Sequence, residues 1–499
     1  MIAGNNRQPR ARAGAGLRLG ILAMLSALVL AGCTVGPNYH RPSAPTAPAW
    51  KESTAAPPPN PPNGTWKEAQ PSDQTLRGKW WNLYDDPQLN ALEDKVAVSN
   101  QTLKAAAEQY LQAREQVRVA RSQYYPTLSV GPSIGRTRLS DNAPNTAKGI
   151  TAYQYNTFSL AGEAQWEPDL WGQVRRTVEQ ARAGMQASAA DLANVELSIR
   201  AELAANYFEL RGLDSQKELL DNTLTSYEDY LQLTQVRYQG GVATDSDVAE
   251  AQTQLETTRS QDLDIGVARA QYEHAIATLI GVPPASFSLP AMPQGQRIPQ
   301  IPAGLPSELL ERRPDIAAAE RRVDAANAQI GIAISAYYPD IQLGGGGGFL
   351  SGNPGTWVQG PSEMWSLGAS AVELLFDAGR RHAVTAQSRE AYEVQVANYR
   401  QSVLNAFQEV EDNLAALRIL EEETETQTQA VDAARRSLTL STDRYKGGAT
   451  TYLEVLTTQT IQLSDERALA DITTRRLVAS VQLIRALGGG WDTSQLPAS

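Results

Sequence analysis

From about Arg175 to Tyr238 the chain contains no proline, and Gly184 and Gly212 are its only glycines there. Nothing in that run compels a helix to stop. At ~1.5 Å per residue it extends roughly 95 Å, about three times the width of a small domain. Such a helix cannot be enclosed in a globular core and must lie lengthwise against others. Leu203, Leu210, Leu213, Leu220, Leu224, Tyr227 and Leu231 follow spacings of three, four and seven. Val396, Tyr399, Val403, Phe407, Val410, Leu414 and Leu417 repeat the pattern later in the chain. These narrow apolar seams are those of coiled coils. Tyr238, Gly240 and Gly241 end the first run, and Tyr445, Gly447 and Gly448 end the second. The glycines supply the positive φ that stops a helix and turns the chain back. Two long helical hairpins are therefore expected.

The hairpins belong to a duplication. Asn100 to Pro126, set against Arg313 to Pro339, share nine of 27 positions and both end in Tyr-Tyr-Pro. Beyond a polar loop near Arg136 to Tyr153 the offset falls from 213 to 207. Gly172 then matches Gly379, the two Arg-Tyr-x-Gly-Gly turns match, and Gly281 matches Gly488. An indel in an exposed loop costs little. Each unit reads as helix, two strands, long helix, turn, helix. The flanking helices are expected to begin near Pro87 and Pro306 and to end at Tyr-Tyr-Pro.

The strands alternate. Phe158, Leu160, Gly162, Ala164 and Trp166 are interleaved with Ser159, Ala161, Glu163, Gln165 and Glu167. Trp365, Leu367, Ala369 and Ala371 are interleaved with Ser366, Gly368 and Ser370. Leu128, Val130 and Ile134, and later Ile341, Leu343 and Phe349, continue the pattern. Segments of about ten residues with one apolar face are the signature of transmembrane β-barrel strands. Four strands cannot close a barrel, and open edges are excluded from lipid, so the chain must associate with copies of itself. The expected fold is a mixed α/β membrane protein, with a transmembrane barrel continuous with a helical coiled-coil barrel.

The N-terminus fits that address. Arg7, Arg10, Arg12 and Arg18 precede an apolar run from Leu19 to Leu30, too short to span a bilayer but suited to a signal peptide. Leu30-Ala31-Gly32-Cys33 then resembles a bacterial lipoprotein box, and Cys33 is the only cysteine of the chain. Cleavage would make Cys33 the mature N-terminus, carrying a diacylglycerol and an N-acyl chain such as palmitate. It would remove four arginines and no acids, taking the formal charge from −11 to about −15. Residues 42–63, dense in proline, read as an extended tether leading away from the lipid. The expected divisions are residues 1–32 (signal), 33–80 (anchored segment), 81–290 (first repeat), 291–305 (linker), 306–491 (second repeat) and 492–499 (tail).

Trp80-Trp81, Asp86-Pro87, Leu310-Glu311-Arg312-Arg313-Pro314-Asp315-Ile316 and Ala486-Leu487-Gly488-Gly489-Gly490-Trp491, with the lipoprotein box and paired turns, resemble the outer-membrane factor lipoproteins of the NodT type, a TolC/OprM-like group. The resemblance spans nearly the whole mature chain. It implies a homotrimer with a 12-stranded barrel and a 12-helix periplasmic tunnel, acting as a passive exit duct of a tripartite efflux pump. The implied partners are a periplasmic adaptor and an inner-membrane transporter of the RND class. It also implies a constriction near the second-half turn, with Leu453 as a hydrophobic gate. Where the family can carry an aspartate and then an arginine, this chain has Thr457 and Thr460, which argues against an ionic latch there. Asp247 and Glu250 offer an alternative acidic ring; as residues of a helix start they also complement the helix dipole.

Competing chemistry finds little support. The acidic balance disfavours a nucleic-acid partner. His40, His274 and His382 lie far apart, and one cysteine cannot build a metal centre. Gly344 to Gly348 is not a phosphate loop, because no Lys-Ser/Thr follows. No enzyme, metal or cofactor is expected, apart from the covalent lipid on Cys33. A type I protein-secretion duct and a structural coiled-coil envelope lipoprotein are the alternatives; Cys33 counts against the first, the alternating strands against the second.

Overall fold

A computed structural model describes residues 34–52, 78–140, 154–301 and 308–497. Cys33, the signal segment, most of the proline-rich stretch and Arg7 to Arg18 lie outside the described residues. The first half contains α1 (Pro87–Ser99), α2 (Gln101–Ser122), β1 (Thr127–Arg138), β2 (Gln154–Trp166), α3 (Gln173–Gln239) and α4 (Asp245–Leu279). The second contains α5 (Leu309–Arg312), α6 (Pro314–Ser335), β3 (Asp340–Ser351), β4 (Glu363–Val372), α7 (Arg380–Lys446) and α8 (Tyr452–Ala486). The halves correspond helix for helix. Both α3 and α7 have 67 residues, both α4 and α8 have 35, and both α2 and α6 have 22. The 67-residue helices are about 100 Å long. None of the described helices is long and apolar enough to cross a membrane.

The three glycine pairs that betray the repeat occupy positions with positive φ. Gly172 and Gly379 precede the long helices at φ 82° and 84°. Gly241 and Gly448 follow them at 73° and 76°, whereas Gly240 and Gly447 are at −80° and −76°. Only the second glycine of each turn is therefore required by conformation, a narrower role than the pair suggests. Each turn is a Schellman motif: Val242 N–H donates to the Arg237 carbonyl and Ala449 N–H to the Arg444 carbonyl, both at 2.8 Å.

The flanking helix is not continuous. Its first copy breaks at Asn100 (ψ 120°) and its second at Arg313 (ψ 123°). Pro314 excludes helical geometry at Arg313. Asn100 caps α2 by accepting from Leu103 N–H at 2.8 Å. The breaks are where the returning helices end. Asn100 Nδ2 donates to the Leu279 carbonyl at 2.7 Å, and Arg313 Nη1 donates to the Ala486 carbonyl at 2.9 Å. A Cβ on Gly281 would fall 2.1 Å from the Ser99 carbonyl oxygen, and one on Gly488 2.0 Å from that of Arg312. Arg313 is also bound by Asp315 and, at 2.8 Å, by Glu409 on α7. Thus Leu310 to Ile316 and the C-terminal glycines, both part of the family resemblance, are two sides of one contact.

Around these contacts lies the main apolar core. Trp80, Trp81, Tyr84, Leu89, Leu203, Tyr207, Phe208, Leu210, Tyr399, Val403 and Val410 are all buried in it. The expected seam residues of α3 and α7 thus face inward. Asp86 is the N-cap of α1 and accepts from Gln88 N–H, Leu89 N–H, the Tyr207 hydroxyl (2.6 Å) and Gln296 Nε2 (2.7 Å). Residues 34–52 do not lead away as a free tether. Arg41 Nη2 reaches the Leu310 carbonyl at 3.0 Å and the Lys51 N–H reaches Glu411 at 2.8 Å. Asn327 Nδ2 donates to the Pro37 carbonyl at 3.1 Å. The segment is strapped over α6 and α7 because their polar side chains satisfy its backbone.

Glu93 on α1 is fully buried. Its Oε2 lies 3.3 Å from Arg200 Nη1, while Oε1 has no partner. Burial outweighs the Arg200 charge and pushes its carboxyl up to about 8. The folded form therefore binds a proton that the unfolded chain releases above about pH 4.5, so stability falls as pH rises from about 4.5 to 8. Replacing Glu93 with Gln should remove that dependence. Denaturant midpoints should rise at pH 8 and change little at pH 5.

Candidate functional site

The four strands form one antiparallel sheet in the order β1-β2-β3-β4. Its register sorts every side chain to one of two faces. Leu128, Val130, Pro132 and Ile134 pair with Ala164, Gly162, Leu160 and Phe158. Gly162, Ala164 and Trp166 pair in turn with Gly347, Gly345 and Leu343. Gly347, Gly345, Leu343 and Ile341 then pair with Trp365, Leu367, Ala369 and Ala371. One face is therefore apolar across all four strands. The other carries Ser129, Gly131, Ser133, Ser159, Ala161, Glu163, Gln165, Gly344, Gly346, Gly348, Ser366, Gly368 and Ser370. The apolar face is bare in the single chain: Leu128, Trp365 and Leu367 are each at least 80% exposed. An apolar sheet face of this extent marks an interaction surface. The strands of Gly344 to Gly348 lie close enough that a Cβ on Gly348 would meet the Leu160 carbonyl oxygen at 2.0 Å.

Aromatic residues mark the lower rim of this sheet. Trp171 stacks on Tyr338 at 4.9 Å between centroids and donates to the Pro339 carbonyl at 2.8 Å. Trp166 Nε1 donates to the Tyr124 carbonyl at 3.0 Å. Both Tyr-Tyr-Pro motifs thus sit where helix becomes strand, the level at which amphipathic rings settle at a bilayer surface.

The opposite end of the molecule holds the predicted tip residues. Tyr445 is 3% exposed and packs with Tyr452, Val455 and Ala251 in a small separate core. Arg237 of the first hairpin lies 4.4 Å over the Tyr445 ring and donates to its carbonyl at 3.0 Å. Tyr238, the counterpart of Tyr445, is 47% exposed. Arg444, the counterpart of Arg237, instead pairs with Glu454 in its own hairpin at 2.7 Å. Tyr452, Arg237 and Glu454 were not singled out by sequence; the shared Arg-Tyr-x-Gly-Gly motif marked the turn but not which partner each arginine takes.

Leu453 projects from the first turn of α8 and is 57% exposed, on the side away from buried Tyr452 and Val455. Thr457 and Thr460 are also exposed, and their hydroxyls donate back to the Leu453 and Leu456 carbonyls. Asp247 is engaged in a capping box: its Oδ2 accepts from Thr244 N–H at 2.8 Å and from the Thr244 hydroxyl at 2.9 Å. Glu250, half-buried, lies one turn on. Leu453 and Thr457 share one face of α8, whereas Asp247 serves the start of α4. No cluster of potential metal ligands occurs among the described residues.

The fold and this layout define a four-stranded antiparallel sheet continuous with a long helical column. The outer membrane efflux protein family model matches residues 92–282 and 305–489, once in each half, and the chain belongs to that family. It is 31% identical over 469 residues to the probable efflux pump outer membrane protein TtgC of Pseudomonas putida, with 94% of each chain covered. It is 31% identical to the outer membrane protein OprJ of Pseudomonas aeruginosa, covering 95% of this chain and 96% of that one. Among solved structures, the outer-membrane channel OprN superposes with a TM-score of 0.82 at 28% identity, over 92% of this chain and 100% of that one. The chain is thus an outer-membrane efflux protein, of a family of channels and not of enzymes.

The Arg237 contact joins the two hairpins at their tips, so Arg237→Ala should loosen that end alone. A desolvated cation–π contact and one hydrogen bond are together worth about 2 kcal/mol. Amide exchange over residues 440–452 should then quicken by roughly an order of magnitude or more, with the core around Tyr207 unchanged.

Proposed function

We propose that three copies of the chain close a 12-stranded barrel in the outer membrane, continuous with a 12-helix tunnel in the periplasm, and that this trimer is the passive exit duct of a tripartite efflux pump. The observation that carries the reading is the sheet: its apolar face runs unbroken over four strands, yet β1 and β4 leave open edges. Unpaired backbone in hydrocarbon costs several kcal/mol per group, so the edges must be closed. The repeat supplies the means. The β2–β3 pairing already joins the end of one repeat to the start of the next, and β4 against β1 of a second copy repeats that junction. The polar face, with Glu163 and Gln165, then lines a wet bore.

The remaining assignments follow from this placement. Thr34 lies against Gly172 beside Trp171 at the membrane-proximal rim. A lipid on Cys33 would therefore enter the inner leaflet of the outer membrane. Residues 1–32 are the signal, 33–80 the anchored strap, 81–290 and 306–491 the repeats joined by 291–305, and 492–499 the tail. The tips formed by Tyr238, Gly240, Gly241, Tyr445, Gly447 and Gly448 meet a periplasmic adaptor, and an inner-membrane transporter of the RND class supplies the energy. Leu453, exposed beside Thr457, forms the hydrophobic constriction when three copies converge. The capping box leaves Asp247 a helix-start role ahead of a charge ring, and Glu250 takes the same reading.

Purified protein should give ion conductance in planar bilayers; its complete absence would sink the duct. Leu453→Ala should raise both single-channel conductance and antibiotic leakage in cells, whereas unchanged leakage would remove Leu453 as the gate. Cys33→Ser should abolish incorporation of labelled palmitate.

A further inference from the structure

On the polar face of the sheet, among the described residues, Glu163 is the one charged residue away from the rim, where Asp340 begins β3 and Glu167 follows β2. Its neighbours on that face are Ala161 and Gln165 on β2, Ser129 on β1 and Gly346 on β3. Among the described residues of β1 to β4, the only other acid or base on this face is Asp340, at the periplasmic start of β3. Among the described residues, no ion pair or hydrogen bond holds the Glu163 carboxylate. Gly346 opposite it adds no side chain that could shield it, and it is exposed in a cleft of about 840 Å³ lined also by Gln165, Glu167, Gln342 and Ser366. Arg136 and Arg138 belong to the other face: Arg136 pairs with Asn156, seven residues above Glu163 on β2.

We propose that Glu163, repeated once per copy, forms a ring of charge that makes the membrane-spanning bore prefer cations and hinders anionic cargo. The inference rests on the trimeric barrel reading and adds a selectivity element to it. Its size follows from geometry. Twelve strands about 4.8 Å apart, tilted by about 40°, give a radius of about 12 Å. A glutamate reaches roughly 5 Å inward, which leaves each carboxylate about 7 Å from the axis. That is shorter than the Debye length of about 10 Å at 0.1 M salt. Three such charges in a water-like medium enrich a monovalent cation at the axis about fourfold. At 1 M salt, with a Debye length of about 3 Å, the enrichment falls close to unity.

The test is the reversal potential of the full-length lipidated protein in planar bilayers under a KCl gradient centred near ~0.1 M. The ring enriches the cation about fourfold and depletes the anion by the same factor, so Glu163→Gln should lower the cation-to-anion permeability ratio by up to about sixteenfold, and Glu163→Lys should carry it further toward anions. Gln165→Glu adds a second ring and should raise the ratio, so it tests the proposal even if the Glu163 variants fail to insert. All three shifts should vanish at 1 M salt. Variants that conduct with the wild-type reversal potential at low salt overturn the ring while leaving the duct intact. A wild-type protein that never conducts overturns the duct reading itself.

Discussion

The helical column depends on one contact made twice: the end of a returning helix seated against a break in a flanking helix. At both sites a glycine lies directly on a neighbouring carbonyl and a side chain, Asn100 or Arg313, takes up the last carbonyl of the helix. A buried carbonyl without a partner is costly, so the break and the helix end are each other's solution. The second of these contacts lies near the middle of α7, where Glu409 binds Arg313. The sheet lies at one end of that helix and the tip at the other.

Much of this was legible in the sequence because it concerns periodicity and punctuation. The absence of proline from Arg175 to Tyr238 set a length that the structure reproduces in α3, and the seam from Leu203 to Leu231 faces inward as its spacing requires. The alternation at Phe158 to Trp166 assigned the faces of β2 before any register was available. What escaped notice has no period. The break at Asn100 looks like any polar residue within a helix until its partner at Leu279, 179 positions away, is known. Likewise residues 42–63 read as an extended tether, yet their described part, 42–52, lies on α7, because composition reports stiffness but not whether a groove is waiting for the segment.

The two repeats are close to identical in backbone and differ in what their tips do. Arg237 and Arg444 occupy equivalent turns, yet one crosses to the other hairpin and the other stays with Glu454. Glu454 does have an acidic counterpart in the first repeat, Asp247, but that acid caps its own helix instead of pairing with the arginine. A single acid on each side thus decides whether an arginine reaches outward or inward. Duplication supplied the shape, and small divergences at the turns left the tyrosine of one tip buried and its twin exposed.

The pairing of β2 with β3 has a further consequence. It turns what would be a junction between separate half-size chains into a junction within one chain. A ring of six such units built from half-size chains would have six seams to find by collision in a crowded membrane. Built from this chain, the trimer proposed above would have three, and the other three would form at a rate independent of concentration. The fused repeat also holds the two halves in fixed alternation around the ring, so differences between their tips recur at every second position and are never scrambled by the order of assembly.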